Sequence, residues 1–159
     1  MNWFSIITTP LGNMTLQASN AGLTGAWFET HTTQPEALGK ENPDHPILVQ
    51  AALQFSEYFG GERQSFSVPF DAEGTDFQMR VWQALLSIPY GETWSYQSLA
   101  NAINHPKATR AVGLANGKNP LSIIVPCHRV IGKNGKLAGY AGGIERKRWL
   151  LEHERCHLS

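Results

Sequence analysis

The first third of the chain alternates apolar and polar side chains over three short runs, Trp3 to Thr8, Met14 to Ala18 and Leu23 to Phe28, separated by Gly12-Asn13 and Asn20-Ala21-Gly22. A period of two places successive side chains on opposite faces of a pleated strand, so these runs predict an antiparallel meander. Thr30 to Pro46 is polar, contains three prolines and shows no periodicity, which predicts a loop. From Ile47 the period lengthens. Leu48, Ala51, Ala52, Phe55 and Phe59 recur at helical spacing before Gly60-Gly61, and this predicts a helix packed on the sheet. Ser65 to Phe70 is one more strand or an extended linker. Asp71 to Gly74 is the expected boundary between a unit of residues 1–74 and a second of 75–159.

Beyond Thr75 the pattern is helical. Thr75 or Asp76 caps a segment to about Ser87 with Phe77, Val81, Trp82 and Leu85 facing a core, and Pro89 and Gly91 end it. Ser95 to Ile103 predicts a second helix. Asn104-His105-Pro106 is a tight turn, and Lys107 to about Gly117 is a third helix with Pro106 suited to its first turn. Two short helices about such a turn suggest a helix-turn-helix. The third helix is built from small residues, Ala108, Ala111, Gly113, Ala115 and Gly117. A mid-helix glycine costs about 1 kcal/mol against alanine, so Gly113 implies close approach of another backbone, either a nucleic-acid strand or a neighbouring helix. Lys133-Asn134-Gly135 predicts a small hairpin between Arg129 to Ile131 and Lys136 to Ala138, as a wing would require. Ile144 to His157 is a last helix. At 100° per residue Glu154 falls between Leu150 and Leu151 on its apolar face while Glu152 points away, so Glu154 is expected to be partly buried and then to need a polar partner.

Composition adds one constraint and charge another. A chain of 159 residues, 42% hydrophobic and 16% charged, is long enough for one or two small cores. No window approaches the roughly 18 apolar residues of a membrane span, and Met1 to Thr9 has no basic region leading into a signal-peptide core, so a cytoplasmic location and no membrane partner are expected. The two cysteines, Cys127 and Cys156, are expected to be free thiols. Net charge is zero, but it divides unevenly: residues 1–75 carry two basic and eight acidic side chains, whereas residues 76–159 carry eleven basic and five acidic. Such polarisation points to a polyanion-binding second half.

Candidate chemistry concentrates in Ile123 to Gly143. The apolar Ile123 to Val125 should be buried, and Pro126 fixes a backbone angle before Cys127, so the thiol is presented at a rigid edge. Gly139, Gly142 and Gly143 allow a turn whose amides can face a small ligand. Cys127 is either a small core residue or a nucleophile; as a nucleophile it must be a thiolate, and its ordinary pKa of about 8.5 means it needs a base. His128 is the nearest imidazole and Glu154 a plausible orienting acid, giving a Cys, His, Glu relay, although neighbours on a strand point opposite ways and would need a turn or a bridging water. His128 reads equally well as a structural histidine.

Pro126-Cys127-His128-Arg129-Val130 with Gly139-Tyr140-Ala141-Gly142-Gly143 resembles the active site of the O6-alkylguanine-DNA alkyltransferases. The similarity spans about residues 75–156. It includes Gly91-Glu92-Thr93, Ser95-Tyr96, Lys107 to Gly113, Asn119-Pro120 and Trp149 to Glu154, in the family's order and spacing. The resemblance implies a ribonuclease H-like α/β N-terminal domain, a small antiparallel sheet plus a helix, followed by a mainly α winged-helix domain carrying the active site. It implies one-way transfer of an alkyl group from guanine O6, with O4-alkylthymine a further candidate substrate, in duplex DNA to Cys127, without cofactor and by a protein consumed in the act. By the same resemblance His128 takes the thiol proton through a water and Glu154 holds the imidazole. Arg110 replaces an extruded nucleotide from the minor groove, and Tyr96 presses on the adjacent phosphate and donates to guanine N3. Ala111, Gly113 and Arg129 are expected DNA contacts, Asn119 ties the recognition helix to the active-site turn, and Tyr140, Ala141 and Val125 line the base pocket. A monomer that clusters on DNA is expected.

The chain departs from the family in three places. Ala141 stands where some members have serine, leaving only a backbone amide for O6. Leu114 is bulkier than the small residues expected there. No cysteine precedes Cys127, and His31 and His45 alone do not complete a tetrahedral metal site, so no metal is expected. Two other classes remain: a DNA-binding module without chemistry, which the reactive cysteine argues against, and a cysteine hydrolase, which explains neither Arg110 nor the glycine-bearing helix.

Overall fold

The computed structural model describes residues 1–31, 33–137 and 140–158. Strands β1 (Trp3–Thr9), β2 (Gly12–Ala18) and β3 (Leu23–Phe28) form the predicted antiparallel meander. The loop after β3 contributes a two-residue strand that the sequence pattern does not reveal, β4 (Lys40–Glu41), paired in parallel with Trp3 and Phe4 of β1. The sheet, ordered β3-β2-β1-β4, is therefore mixed and not purely antiparallel. A strand of two exposed charged residues carries no alternation, so only its partner determines it. Ser65 to Phe70 is an extended linker, except that Phe70 bridges Leu23.

Helix α1 (Pro46–Phe59) starts with proline in its first turn and His45 as cap, and lies on the sheet. Its buried stripe is Leu48, Ala51, Gln54, Phe55 and Tyr58; Phe59, expected in the core, is half-buried instead. Helix α2 (Asp76–Leu85) is started by a full capping box, with Thr75 and Gln78 exchanging side-chain and backbone bonds. The turn after it leads to β5 (Trp94–Ser95), α3 (Tyr96–Ala102) capped by Ser95, and α4 (Thr109–Gly117). Pro106 lies in the α3–α4 turn and not in the first turn of α4, whose cap is Ala108. The indole of Trp82 donates to the Ala115 carbonyl at 2.9 Å and ties α2 to α4.

The predicted wing takes another form. Strand β6 (Val130–Ile131) pairs in parallel with β5. Lys133–Gly135 is a single 3-10 turn with Asn134 and Gly135 both at positive φ, closed by a bond from the Gly132 amide to the Lys136 carbonyl. The Asn-Gly turn is present, but the strand before it is engaged by Trp94 and Ser95; Ala138 and Gly139 lie outside the described residues. Helix α5 (Ile144–Cys156) closes the chain. No helix among the described residues is long and apolar enough to cross a membrane.

Candidate active site

The strand β3 edge positions the thiol. Ala26 donates to Pro120 and accepts from Ser122, so the chain enters the motif as a short extension of the N-terminal sheet. Ile123, Ile124 and Val125 are buried as expected. Ile123 adopts φ 73°, a costly conformation for a β-branched residue, which the packing around it must hold in place. Cys127–Arg129 then forms a 3-10 turn. This turn removes the strand-geometry objection, since Cys127 and His128 need not point to opposite sides of a pleat.

Asn119 stitches the turn together. Its amide donates to the Val125 carbonyl at 2.8 Å and to that of Leu121 at 3.3 Å, and its oxygen accepts from the Leu121 amide at 3.0 Å. Asn116 on the inner face of α4 reaches the Cys127 carbonyl at 3.4 Å. The recognition helix and the active-site turn are thus joined by two asparagines, of which sequence reasoning found one.

Glu154, expected on the apolar face of α5, is fully buried and bonded. His128 Nε2 lies 2.6 Å from Oε2, Arg129 Nε donates to Oε1 at 2.8 Å and Nη2 to Oε2 at 3.1 Å, and the Gly91 amide donates to Oε1 at 3.2 Å. Arg129 is therefore not the expected DNA contact. It is buried, bidentate on Glu154, and its Nη1 caps the Ile88 carbonyl at 2.7 Å. Burial alone would raise the Glu154 carboxyl, but the charge and hydrogen bonds of His128 and Arg129 outweigh it and hold the carboxyl well below its usual range. For His128 burial is the largest influence and exceeds the pull of Glu154, so its pKa is lowered and the imidazole is neutral near pH 7. With His128 neutral, the guanidinium of Arg129 is the permanent charge that keeps Glu154 ionised. The Nε2–H then donates to Glu154 and the lone pair lies on Nδ1, a buried atom with no protein partner among the described residues. That unpaired acceptor, beside Cys127 in one turn, is what a general base requires.

Burial pushes the Cys127 thiol up to about 11, against the opposing effects of Asn119 and Lys147. The thiol therefore ionises only as a base removes its proton. Lys147 went unremarked in the sequence, yet it shares the i, i+3, i+7 row with Leu150 and Glu154 and is fully buried. Its Nζ donates to the Val130 carbonyl at 2.5 Å, and burial lowers it to about 8.

Around the thiol, Tyr140 is buried, bonded through its hydroxyl to Ser122, with its ring 6.4 Å from that of His128. The Ala141 carbonyl accepts from Thr30 Oγ1 at 3.3 Å, and Arg146 braces the same loop by donating to Gly142, Thr30 and Leu11 while lying 4.9 Å over the Phe28 ring. Val125 is buried, its carbonyl committed to Asn119. Tyr96 opens α3, half-buried, and both burial and the nearby Cys127 raise its hydroxyl. On α4, Arg110, Ala111 and Leu114 form an exposed face flanked by the exposed Lys107 and Lys118. At Gly113 an added Cβ would meet only the Tyr96 ring, at 3.7 Å, an ordinary contact. That ring belongs to α3, so a neighbouring helix lies against Gly113, but at a distance that would admit a methyl group.

The two histidines weighed as metal ligands have structural roles. His45 caps α1 and stacks on Trp3, and His31 Nδ1 accepts from the Phe28 amide at 3.0 Å beneath Tyr140. No three His, Cys, Asp or Glu side chains among the described residues are grouped to hold a metal. Cys156 is exposed and free. Burial lowers His31 to about 4, so protonating it must disrupt its packing. A base depressed in the native state is protonated first in the unfolded chain, so stability falls as pH drops from about 6.5 toward 4. Urea unfolding across that range should lose about 2–3 kcal/mol to this group; His31→Gln should flatten that part of the slope, and an unchanged slope would refute the assignment.

Comparison with known proteins agrees over the whole chain. Residues 3–72 match the family model for the 6-O-methylguanine DNA methyltransferase ribonuclease-like domain, and residues 76–156 match that for the DNA binding domain of the same family. A methylated-DNA–protein-cysteine methyltransferase of Mycobacterium tuberculosis is 51% identical over 152 residues, 96% of this chain and 92% of the relative. The constitutive enzyme of that name from Bacillus subtilis is 46% identical over 98% of this chain and 96% of its own length. Among solved structures, the M. tuberculosis O6-methylguanine methyltransferase superposes with a TM-score of 0.92 at 49% identity, over 100% of this chain and 96% of that one. A structure of the M. tuberculosis OGT in complex with DNA superposes at 0.91, also at 49% identity, over 98% and 94%.

Proposed function

This chain belongs to the 6-O-methylguanine DNA methyltransferase family, and from that premise we propose that Cys127 is the acceptor atom and that His128, Glu154, Tyr96 and Arg110 carry the reaction. The protein repairs O6-alkylguanine in DNA by transferring the alkyl group to a cysteine. The observation that carries the residue assignment is the buried Cys127, His128, Glu154 cluster, in which the imidazole presents an unpaired Nδ1.

The thiol proton passes through a water to His128 Nδ1, and the imidazolium that forms is stabilised by Glu154 across Nε2. The sulfur attacks the alkyl carbon. A carbon–sulfur bond forms as the carbon–O6 bond breaks, and the electron pair of the broken bond stays on the guanine, which then takes up a proton. Tyr96, whose hydroxyl burial keeps protonated, donates to guanine N3 as that charge develops. The thioether product has no leaving group to regenerate the thiol, so each molecule acts once.

Duplex DNA is held by the exposed basic face of α4, with the target base flipped from the minor groove past Arg110 into the space walled by Tyr140 and the Ala141 backbone. Gly113 leaves room there for a phosphate backbone. The protein acts as a monomer in the cytoplasm and can cluster along DNA.

Incubation with duplex containing O6-methylguanine should add one methyl to the tryptic peptide bearing Cys127, at one equivalent and without turnover. An unmodified Cys127 despite tight binding, or repeated turnover, would refute the assignment. Arg110→Ala should slow repair of duplex by about tenfold or more but barely affect reaction with the free base; equal slowing on both would remove its flipping role. Gly113→Ala should stabilise the fold by up to about 1 kcal/mol through helix propensity, since the new methyl meets only ordinary contact. The same change should weaken binding to duplex in a gel-shift titration. Undiminished binding would show that no strand approaches α4 at Gly113.

A further inference from the structure

The Glu154 carboxylate accepts a further bond, from an element the mechanism above does not use. Tyr58, near the end of α1, donates its hydroxyl to Oε2 at 2.7 Å, the same oxygen that lies 2.6 Å from His128 Nε2. The backbone of Tyr58 holds the preceding residue of α5, its carbonyl accepting from His153 Nε2 at 2.7 Å. A single residue of the N-terminal half thus grips two consecutive residues of the helix that carries the relay acid. Tyr58 is fully buried, with its ring against Phe59, Phe66, Tyr90 and His153 at centroid distances of 5.4, 5.7, 6.2 and 5.3 Å. So enclosed, the hydroxyl cannot swing to water, and the hydrogen bond is held by the packing of both halves of the molecule.

We infer that Tyr58 is a positioning residue of the relay, its hydroxyl fixing Oε2 and dispersing the carboxylate charge on which the His128 imidazole leans. Burial, and then the Glu154 charge, push the hydroxyl well above its ordinary pKa, so it remains a donor throughout the working range. A third donor on this oxygen, beside Arg129 Nη2 at 3.1 Å, weakens its hold on Nε2–H and keeps the imidazole less basic. The N-terminal domain therefore sets the protonation of the base as well as packing against it. The other groups around the pair are Arg129 and Cys127 of the turn, Lys147 of α5, Tyr90 and Tyr140. Tyr58→Phe substitutes none of these side chains, and the ring that Tyr90 contacts is kept. This inference rests on the His128–Glu154 relay proposed above.

Tyr58→Phe keeps the ring and deletes the donor. The single-turnover rate of methyl transfer from O6-methylguanine duplex would be measured against pH, with thermal unfolding in parallel. Without the donor Glu154 presents more charge to His128, His128 holds its proton more tightly, and the neutral fraction at a given pH falls. The acid limb should therefore move to higher pH by about one unit, with a rate below the midpoint about tenfold lower. A 3-fluorotyrosine at position 58, a stronger donor of nearly the same shape, should move the limb the other way, and it decides the matter if Tyr58→Phe does not fold. A lowered melting temperature with an unchanged pH profile in both variants would make Tyr58 mere packing and overturn the inference. Glu154→Gln run in the same assay separates the two ideas. If it changes rate and profile while Tyr58 variants do not, only the role of Tyr58 falls; if Glu154→Gln changes neither, the relay and the inference fall together.

Discussion

Cys127→Ser should abolish alkyl transfer, lowering the single-turnover rate by at least about 10⁴-fold, while circular dichroism and duplex binding stay as in the parent. The side chain is 4% exposed at the head of a 3-10 turn whose geometry is set through backbone groups by Asn119, Asn116 and the Val125 carbonyl. Serine fits that space. A hydroxyl, however, is far less acidic than even this buried thiol, which burial already holds at about 11, and an alkoxide is a poor match for a soft alkyl carbon. Methylated peptide from the serine variant at a comparable rate would mean that the acceptor is another group.

Glu154→Gln should be the most destabilising of the single changes to the relay. Its carboxylate accepts bonds from Tyr58, Gly91, His128 and Arg129, contributed by three separate parts of the chain. Removing the charge leaves the Arg129 guanidinium buried without a counter-ion, a loss of about 3 kcal/mol or more, or roughly 10 °C in melting temperature for a chain of this size. Transfer should slow by about 10²-fold because the imidazolium loses its stabilising partner. The pH dependence has a definite sign. A carboxyl held below its usual value stabilises the fold fully above the unfolded value of about 4.3 and loses that stabilisation as pH falls through the lower native value. Calorimetry on Glu154→Gln should find that this acid-labile component is gone, whereas the His31 component at higher pH persists. A melting temperature within a degree of the parent would mean that Arg129 finds other partners.

The basic half of the chain shows the reach of sequence reasoning and where it stops. Lys107, Arg110 and Lys118 are exposed around α4. Arg129, which carries the same charge, is in the interior. Nothing local distinguishes the two kinds of arginine: Arg129 is buried because the α5 carboxylate, 25 residues away, reaches it. Glu154 could be placed inside because its own helix supplied the angular evidence, and Lys147, on the same row, could have been found by extending that argument three residues down from Leu150. Tyr58 could not. The apolar stripe of α1 is compatible with ending on Phe59 or Tyr58, and only docking against α5 selects the tyrosine, whose hydroxyl there satisfies a carboxylate. The first flank of the predicted hairpin pairs with β5 for a related reason, since an Asn-Gly turn specifies its own backbone but not which strand its flank will pair with.

Periodicity, caps and turn chemistry are properties of neighbours along the chain, and from them the sequence alone determined the β1–β3 meander, helices α1 to α5, the buried approach Ile123 to Val125 and the inward-facing Glu154. Which buried charge meets which, that Cys127 and His128 share a turn instead of a strand, that Arg129 serves the acid rather than DNA, and that Tyr58 bonds the same oxygen as the base were decided only by the tertiary structure. Those contacts join residues up to 96 positions apart, and their energies exist only once the intervening chain has excluded water from around them.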